Sequence, residues 1–275
     1  AQGGCVVSAN GRERAAPVDV EAYADAEVRI GRWQDVLADV RPGTVICDPP
    51  YGKRTHSGAL QGGEMADGRT LNLTDTSRGG DGSHRTPITY DHWTPADVAE
   101  FVGSWAPRTE RWIVAMTSHD LLPAWSEAFS DVGWYEFAPV AVVIAGMGVR
   151  VLADGPANWT IHLSIARRRS RSLGGKAGSI WRSLPGGYTG PMGPHQAGGR
   201  GKPPWLLDAL VRDYSDPGHV VVDPFAGWGS TLVAARNAGR VAIGAELDPD
   251  AHARCEAALS GDMAAYARAA PKRER

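Results

Sequence analysis

The sequence predicts an α/β protein built on a doubly wound, mostly parallel sheet with helices on both faces. Three observations carry that expectation: short β-branched runs alternate with helical apolar periodicities, the runs lack a polar alternate face, and two of them stop abruptly at an aspartate followed by a turn. At 275 residues, 43% hydrophobic and 22% charged, the chain suits one large globular domain. Residues 1–26 are small and polar with weak periodicity and read as a flexible arm; 27–275 read as a single domain.

Taken in order, 27–30 is the first strand and 31–37 opens a short helix. Thr44–Cys47 is a second strand, followed by about forty residues, 52–91, rich in Gly, Ser, Thr and Asp. A loop that long is either functional, here a basic lid that orders on nucleic acid, or a solvated insertion. Thr94 then caps a helix with Pro95 in its first turn, and Val98, Phe101, Val102 and Trp105 recur at helical spacing. Strand 112–116, helix 121–129 and strands 139–145 and 159–166 follow. Pro203 and Pro204 preset the next helix, whose apolar face is Leu206, Leu207, Leu210 and Val211. Strand 220–222, helix 232–238 behind Ser230 and Thr231 as caps, strand 241–245 and an alanine-rich helix 250–266 complete seven strands and their helices.

The formal net charge of -2 argues against a uniformly basic nucleic-acid coat but not against a local basic face. No apolar run reaches the length of a membrane span, and the first residues lack the apolar core of a secretion signal. The three cysteines are far apart with no C-x-x-C pair, and the eight histidines show no metal-ligand spacing. We therefore expect a cytoplasmic protein with reduced thiols and no metal.

Chemistry concentrates at two strand ends. The first is Asp223-Pro224-Phe225-Ala226-Gly227-Trp228-Gly229-Ser230-Thr231, where Gly227 and Gly229 let the backbone turn closely around a ligand at the carboxyl edge of an open sheet. A dinucleotide fingerprint would need glycine at Leu232, and a phosphate loop fails because Gly201-Lys202 runs into Pro203. A ligand carrying positive charge, or an ordinary strand-to-helix turn, remains. The second is Asp48-Pro49-Pro50-Tyr51, in which two fixed φ angles and two missing donors leave the Asp48 carboxylate and Pro49 carbonyl as rigid acceptors beside an aromatic face. Such a device holds an amino group while Tyr51 stacks on its ring. About twenty residues after the bend, Glu246 ends the next strand, where a carboxylate accepts both hydroxyls of a ribose.

D-P-P-Y after one strand and D-P-F-A-G-x-G-S-T after another resemble the S-adenosylmethionine-dependent amino-methyltransferases of DNA. With D-P-P-Y first, the chain resembles their circularly permuted β class, whereas most RNA and protein enzymes with a similar tetrapeptide have the opposite order. The resemblance implies a seven-stranded Rossmann-like methyltransferase sheet with a reversed strand at one edge. It implies catalytic roles for Asp48, Pro49, Pro50 and Tyr51, and cofactor contacts from Asp223, Pro224, Phe225, Ala226, Gly227, Gly229, Ser230, Thr231 and Glu246. Gly201-Lys-Pro-Pro-Trp-Leu-Leu207 is similar to the family's K-P-x-x-L-L element, which adds Lys202 and Pro203 at the cofactor's methionine end. Arg32 stands where the family usually has an aspartate near the adenine.

The family's target-recognition segment falls at 167–200. There Arg167, Arg168, Arg169, Arg171, Lys176 and Arg182 form either a solvated face or a set of phosphate contacts, with Lys53 and Arg54 from the long loop and Trp181 and Tyr188 as stacking residues. The implied activity is methyl transfer to the exocyclic amine of a flipped base in duplex DNA, with D-P-P-Y associated more with adenine N6 than cytosine N4. The alternatives are a cytosine-N4 enzyme, an RNA or small-molecule amine acceptor, and an inactive nucleic-acid-binding relative. A homodimer and a cognate restriction endonuclease are partners the resemblance allows.

Overall fold

The computed structural model describes residues 25–53, 90–145, 159–168, 184–191 and 202–262. Most of the expected arm, the interior of the 52–91 loop, and Arg54, Arg169, Arg171, Lys176, Trp181 and Arg182 lie outside the described residues. Nine strands form one sheet: β1 (Ala26–Ile30), β2 (Thr44–Cys47), β3 (Trp112–Thr117), β4 (Trp134–Glu136), β5 (Val140–Ala145), β6 (Thr160–Arg168), β7 (Gly187–Pro191), β8 (Val220–Asp223) and β9 (Val241–Glu246). The order is β1-β9-β8-β2-β3-β6-β5-β7, with β4 also paired to β6.

β6 runs antiparallel to β3, β4 and β5, while the other pairings are parallel. The mostly parallel, doubly wound expectation therefore holds, with two corrections. The reversed strand lies inside the sheet rather than at its edge, and the described residues hold nine strands where seven were expected. The two extra strands escape sequence reading for physical reasons. β4 has three residues, too few to show a period. β7 reads Gly-Tyr-Thr-Gly-Pro, a composition that signals a turn.

Among the described residues six helices flank the sheet: α1 (Trp33–Val36), α2 (Pro95–Trp105), α3 (Leu122–Asp131), α4 (Pro204–Tyr214), α5 (Ser230–Asn237) and α6 (Pro249–Ser260). The last is capped by Gly261 at φ 75°, and residues 263–266 of the expected helix lie outside the described residues. The sheet is buried on both faces. Along β2, Val45 and Cys47 enter one core with Trp33, Phe101 and Trp125, while Ile46 enters the other with Leu206, Leu210 and Leu232. This two-sided burial explains the unbroken apolar runs. It also leaves the carboxyl ends of β1, β9, β8, β2 and β3 along one rim.

Candidate active site

Two of those ends carry the motifs. β2 and β8 pair directly, Thr44 with Val221 and Val45 with Val222, and the same register carries Asp48 level with Phe225. Residues about 175 apart in sequence thus become neighbours across one ladder.

On the β2 side, Tyr51 Oη donates to Asp48 Oδ1 at 2.9 Å. Burial, and next the Asp48 carboxylate, push the Tyr51 phenol above its usual range, so it stays a donor. Lys202 Nζ donates to the other oxygen, Asp48 Oδ2, and stands 5.4 Å from the centroid of the Tyr51 ring. The turn is anchored from beneath. The Trp93 N–H donates to the Tyr51 carbonyl at 3.1 Å, and the Gly52 N–H to Ser118 Oγ at 3.0 Å. Glycine at 52 leaves room for Asp120, since a Cβ there would sit 2.3 Å from a carboxylate oxygen and the Asp120 side chain would have to turn away. Trp93 also joins the two motifs, since its ring meets Phe225 edge-on at 5.4 Å.

On the β8 side, Asp223 is buried and accepts the Phe225 N–H at 3.0 Å, with the Thr231 hydroxyl as its second donor. Burial pushes its carboxyl up to about 7 against the pull of those two donors. Asp223 therefore shapes the bend from inside. Gly227, at φ 53°, donates its N–H to Glu246 Oε2 at 2.7 Å, while Glu246 Oε1 accepts from the Asp248 N–H at 2.8 Å. The α5 cap is Gly229, at φ 84°, rather than the expected Ser230 or Thr231, because Thr231 is turned to Asp223. Between the two glycines, the Trp228 ring lies 4.1 Å from the guanidinium carbon of buried Arg254 on α6. Pro224 and Ala226 are buried beneath the bend, Phe225 and Ser230 half-buried, and the Ala226 N–H donates to the Ala245 carbonyl at 2.9 Å.

Beyond Glu246 the rim carries features that sequence reading missed. Ile30 pairs with Glu246 in register, the Gly31 N–H donates to the Glu246 carbonyl at 2.9 Å, and exposed Arg32 follows. Ile30 and Leu247 are 53% and 66% exposed, two apolar side chains that adjoin Glu246, one in register on β1 and one next in sequence. Their apolar character in strand-like runs gave no signal, since only the end of the strand distinguishes them from core.

Several expectations meet a different placement. Lys202, assigned to the cofactor, is ion-paired to Asp48, and Pro203 caps α4. Arg167 and Arg168 end the antiparallel β6, where Arg167 pairs with Trp112 at the start of β3, so both lie at the opposite rim from Asp48. Arg168 donates to the Thr109, Ala106 and Pro107 carbonyls at 3.1, 3.3 and 2.5 Å, and Arg167 lies over the Trp112 and Phe137 rings. The side chain of Arg168 caps a helix and that of Arg167 covers aromatic rings. Tyr188, expected to stack on bases, is buried in β7 with its hydroxyl donating to Asp213 at 2.9 Å. Lys53 is exposed just after the Tyr51 turn. Among the described residues no group of three or more His, Cys, Asp or Glu could hold a metal, and no helix is long and apolar enough to cross a membrane.

Comparison with known proteins adds independent findings. Residues 164–257 match a family described as DNA methylase, N6_N4_Mtase, a span that holds the glycine-rich bend and Glu246 but not Asp48–Tyr51. YubD of Escherichia coli (strain K12), whose name proposes a methylase, is 50% identical over 46 residues, 17% of this chain and 20% of YubD. The chain thus matches about a fifth of the length of that relative. M1.HpyAVI, solved in complex with SAM, superposes with a TM-score of 0.55 at 14% identity, covering 85% of this chain and 98% of its own. The PvuII DNA methyltransferase, cytosine-N4-specific, superposes with a TM-score of 0.55 at 13% identity over 90% and 93%. The bend and its acidic partner therefore lie in a segment similar to a DNA methylase family, on a fold shared with M1.HpyAVI and the PvuII methyltransferase.

Proposed function

We propose that this protein is an S-adenosylmethionine-dependent DNA amino-methyltransferase acting on a flipped base, with adenine N6 as acceptor. The observation that carries the reading is the meeting of Asp48–Tyr51 and Asp223–Gly229 at one rim, linked by the β2–β8 ladder and by Trp93. The donor set fits the cofactor. Gly227 offers a close backbone approach with no neighbour crowding it, Glu246 is a half-buried carboxylate at the end of the next strand that would accept the ribose hydroxyls, and Ile30 and Leu247 flank it with apolar surface. When bound, S-adenosylmethionine supplies an activated methyl on a sulfonium.

The residues of the chain supply position. A base inside a stacked duplex cannot reach the rim, so it is flipped at a cost of a few kcal/mol. The Tyr51 ring offers it a face, and Asp48 with the Pro49 carbonyl accepts its amino hydrogens, turning the nitrogen lone pair toward the methyl. Aligning two reactants in this way removes about 7–11 kcal/mol from a barrier, which leaves no need for a covalent enzyme intermediate. On this reading exposed Lys53, next to the turn, meets the phosphate backbone, and the enzyme works on DNA in the cytoplasm. The adenine choice rests on D-P-P-Y. The homodimer and the restriction partner rest on the resemblance alone.

Incubation with methyl-labelled S-adenosylmethionine and either duplex DNA or RNA, followed by nucleoside chromatography, tests this. Labelled N6-methyladenine from DNA is expected. Labelled N4-methylcytosine would reassign the base, label in RNA alone would reassign the polymer, and binding without label would make the protein a nucleic-acid binder.

A further inference from the structure

Both oxygens of Asp48 are taken, one by the Tyr51 hydroxyl and the other by the Lys202 ammonium. That ammonium stands 5.4 Å from the centre of the Tyr51 ring. A nitrogen donor against the Asp48 carboxylate and beside the aromatic ring is the pose that the amino-methyltransferase reading assigns to the base's exocyclic amine. One seat has two claimants. A fixed cation there would also oppose the reaction, because positive charge moves from sulfur to the amine nitrogen as the N–C bond forms and the C–S bond breaks. Burial pulls the lysine down, yet Asp48 and Tyr51 outweigh it and hold it above the usual lysine range. It is a cation, unable to take the proton the amine gives up.

We infer that Lys202 is a placeholder for the target amine: it holds Asp48 when no base is present, and an incoming base must displace it, which sets a threshold for base capture. The inference rests on the proposed function. Exchange is physically reasonable because the side chains of Lys202 and Asp48 keep 19% and 30% exposure, and the amine of an incoming base gives Asp48 a replacement donor, so the carboxylate is not left buried without a partner. Lysine is also suited to the task. Its flexible stem precedes helix α4, outside the rigid part that Pro203 and Pro204 fix.

The test is steady-state kinetics at saturating S-adenosylmethionine with duplex DNA varied, comparing wild type, Lys202→Met and Lys202→Arg. In Lys202→Met the KM for DNA should fall and kcat/KM rise about threefold to fivefold. Lys202→Arg, whose guanidinium still fills the seat and can meet the carboxylate with two donors, should not lower the KM. A lower kcat/KM in Lys202→Met overturns the inference and makes Lys202 a positioning group for Asp48; an unchanged value, or an equal rise in Lys202→Arg, overturns it as well. Should Lys202→Met not fold, Lys202→Leu, which also carries no donor, takes its place with the same expected sign. Failure of the wild type to label DNA is a separate result, which removes the functional reading itself.

Discussion

Asp48 and Asp223 look alike in the sequence, each closing a β-branched strand before a proline, yet the fold gives them opposite tasks. Asp48 is partly exposed at the rim, and its oxygens face Tyr51 and Lys202. Replacing it with alanine should cut methyl transfer at least about a hundredfold while calorimetry still shows cofactor binding; retained turnover would remove its amine-holding role. Asp223 instead faces inward, and burial raises its carboxyl from an ordinary 3.8 to about 7. Between those values the folded protein keeps a proton that the unfolded chain has lost, so stability falls as pH rises from about 4 to about 7. Asp223→Asn, which still accepts the Phe225 N–H, should flatten that slope by on the order of a few kcal/mol in urea titrations across the range. An unaltered slope would mean that Asp223 is ionised throughout.

The elements decide which residues of a motif can serve. In the glycine-rich bend, Gly229 caps α5 at φ 84°, and a Cβ there would sit 2.6 Å from Cys255 Sγ on α6. Gly229→Ala should therefore cost about 2–4 kcal/mol, since left-handed strain and overpacking add, and should weaken cofactor binding through the displaced bend. Denaturant melts with calorimetry check both halves. Strand direction decides the fate of the arginines. A charge run gives no sign of which rim it occupies, and only the reversal of β6 carries Arg167 and Arg168 away from the site. Arg168→Ala should lower stability by about 1–3 kcal/mol through the three carbonyls at the end of α2. The salt dependence of DNA binding should not change, and a shallower slope would return Arg168 to the nucleic-acid interface.

At the scale of the whole molecule one sheet serves two cores, so damage on either face should be felt on both. Ile46 is fully buried in the core of α4 and α5, against which Trp112 and Trp205 also pack, while Trp33, Trp105 and Trp125 lie in the other, so tryptophan fluorescence reads both faces. Ile46→Ala should cost about 2–5 kcal/mol, and tryptophan fluorescence and far-ultraviolet circular dichroism should still unfold together. Separate transitions would show that the faces fold independently. The alternation of strands and helices, the two aspartate-ended strands, the glycine bend and Glu246 were all legible in the sequence, because backbone preferences and burial on both faces are written locally. Lys202 on Asp48, Trp93 between the motifs, the exposed Ile30 and Leu247, β7 and the direction of β6 were not. Each of these depends on which strand lies beside which, and contacts between residues distant in the chain follow from the packing of the whole sheet rather than from any one segment.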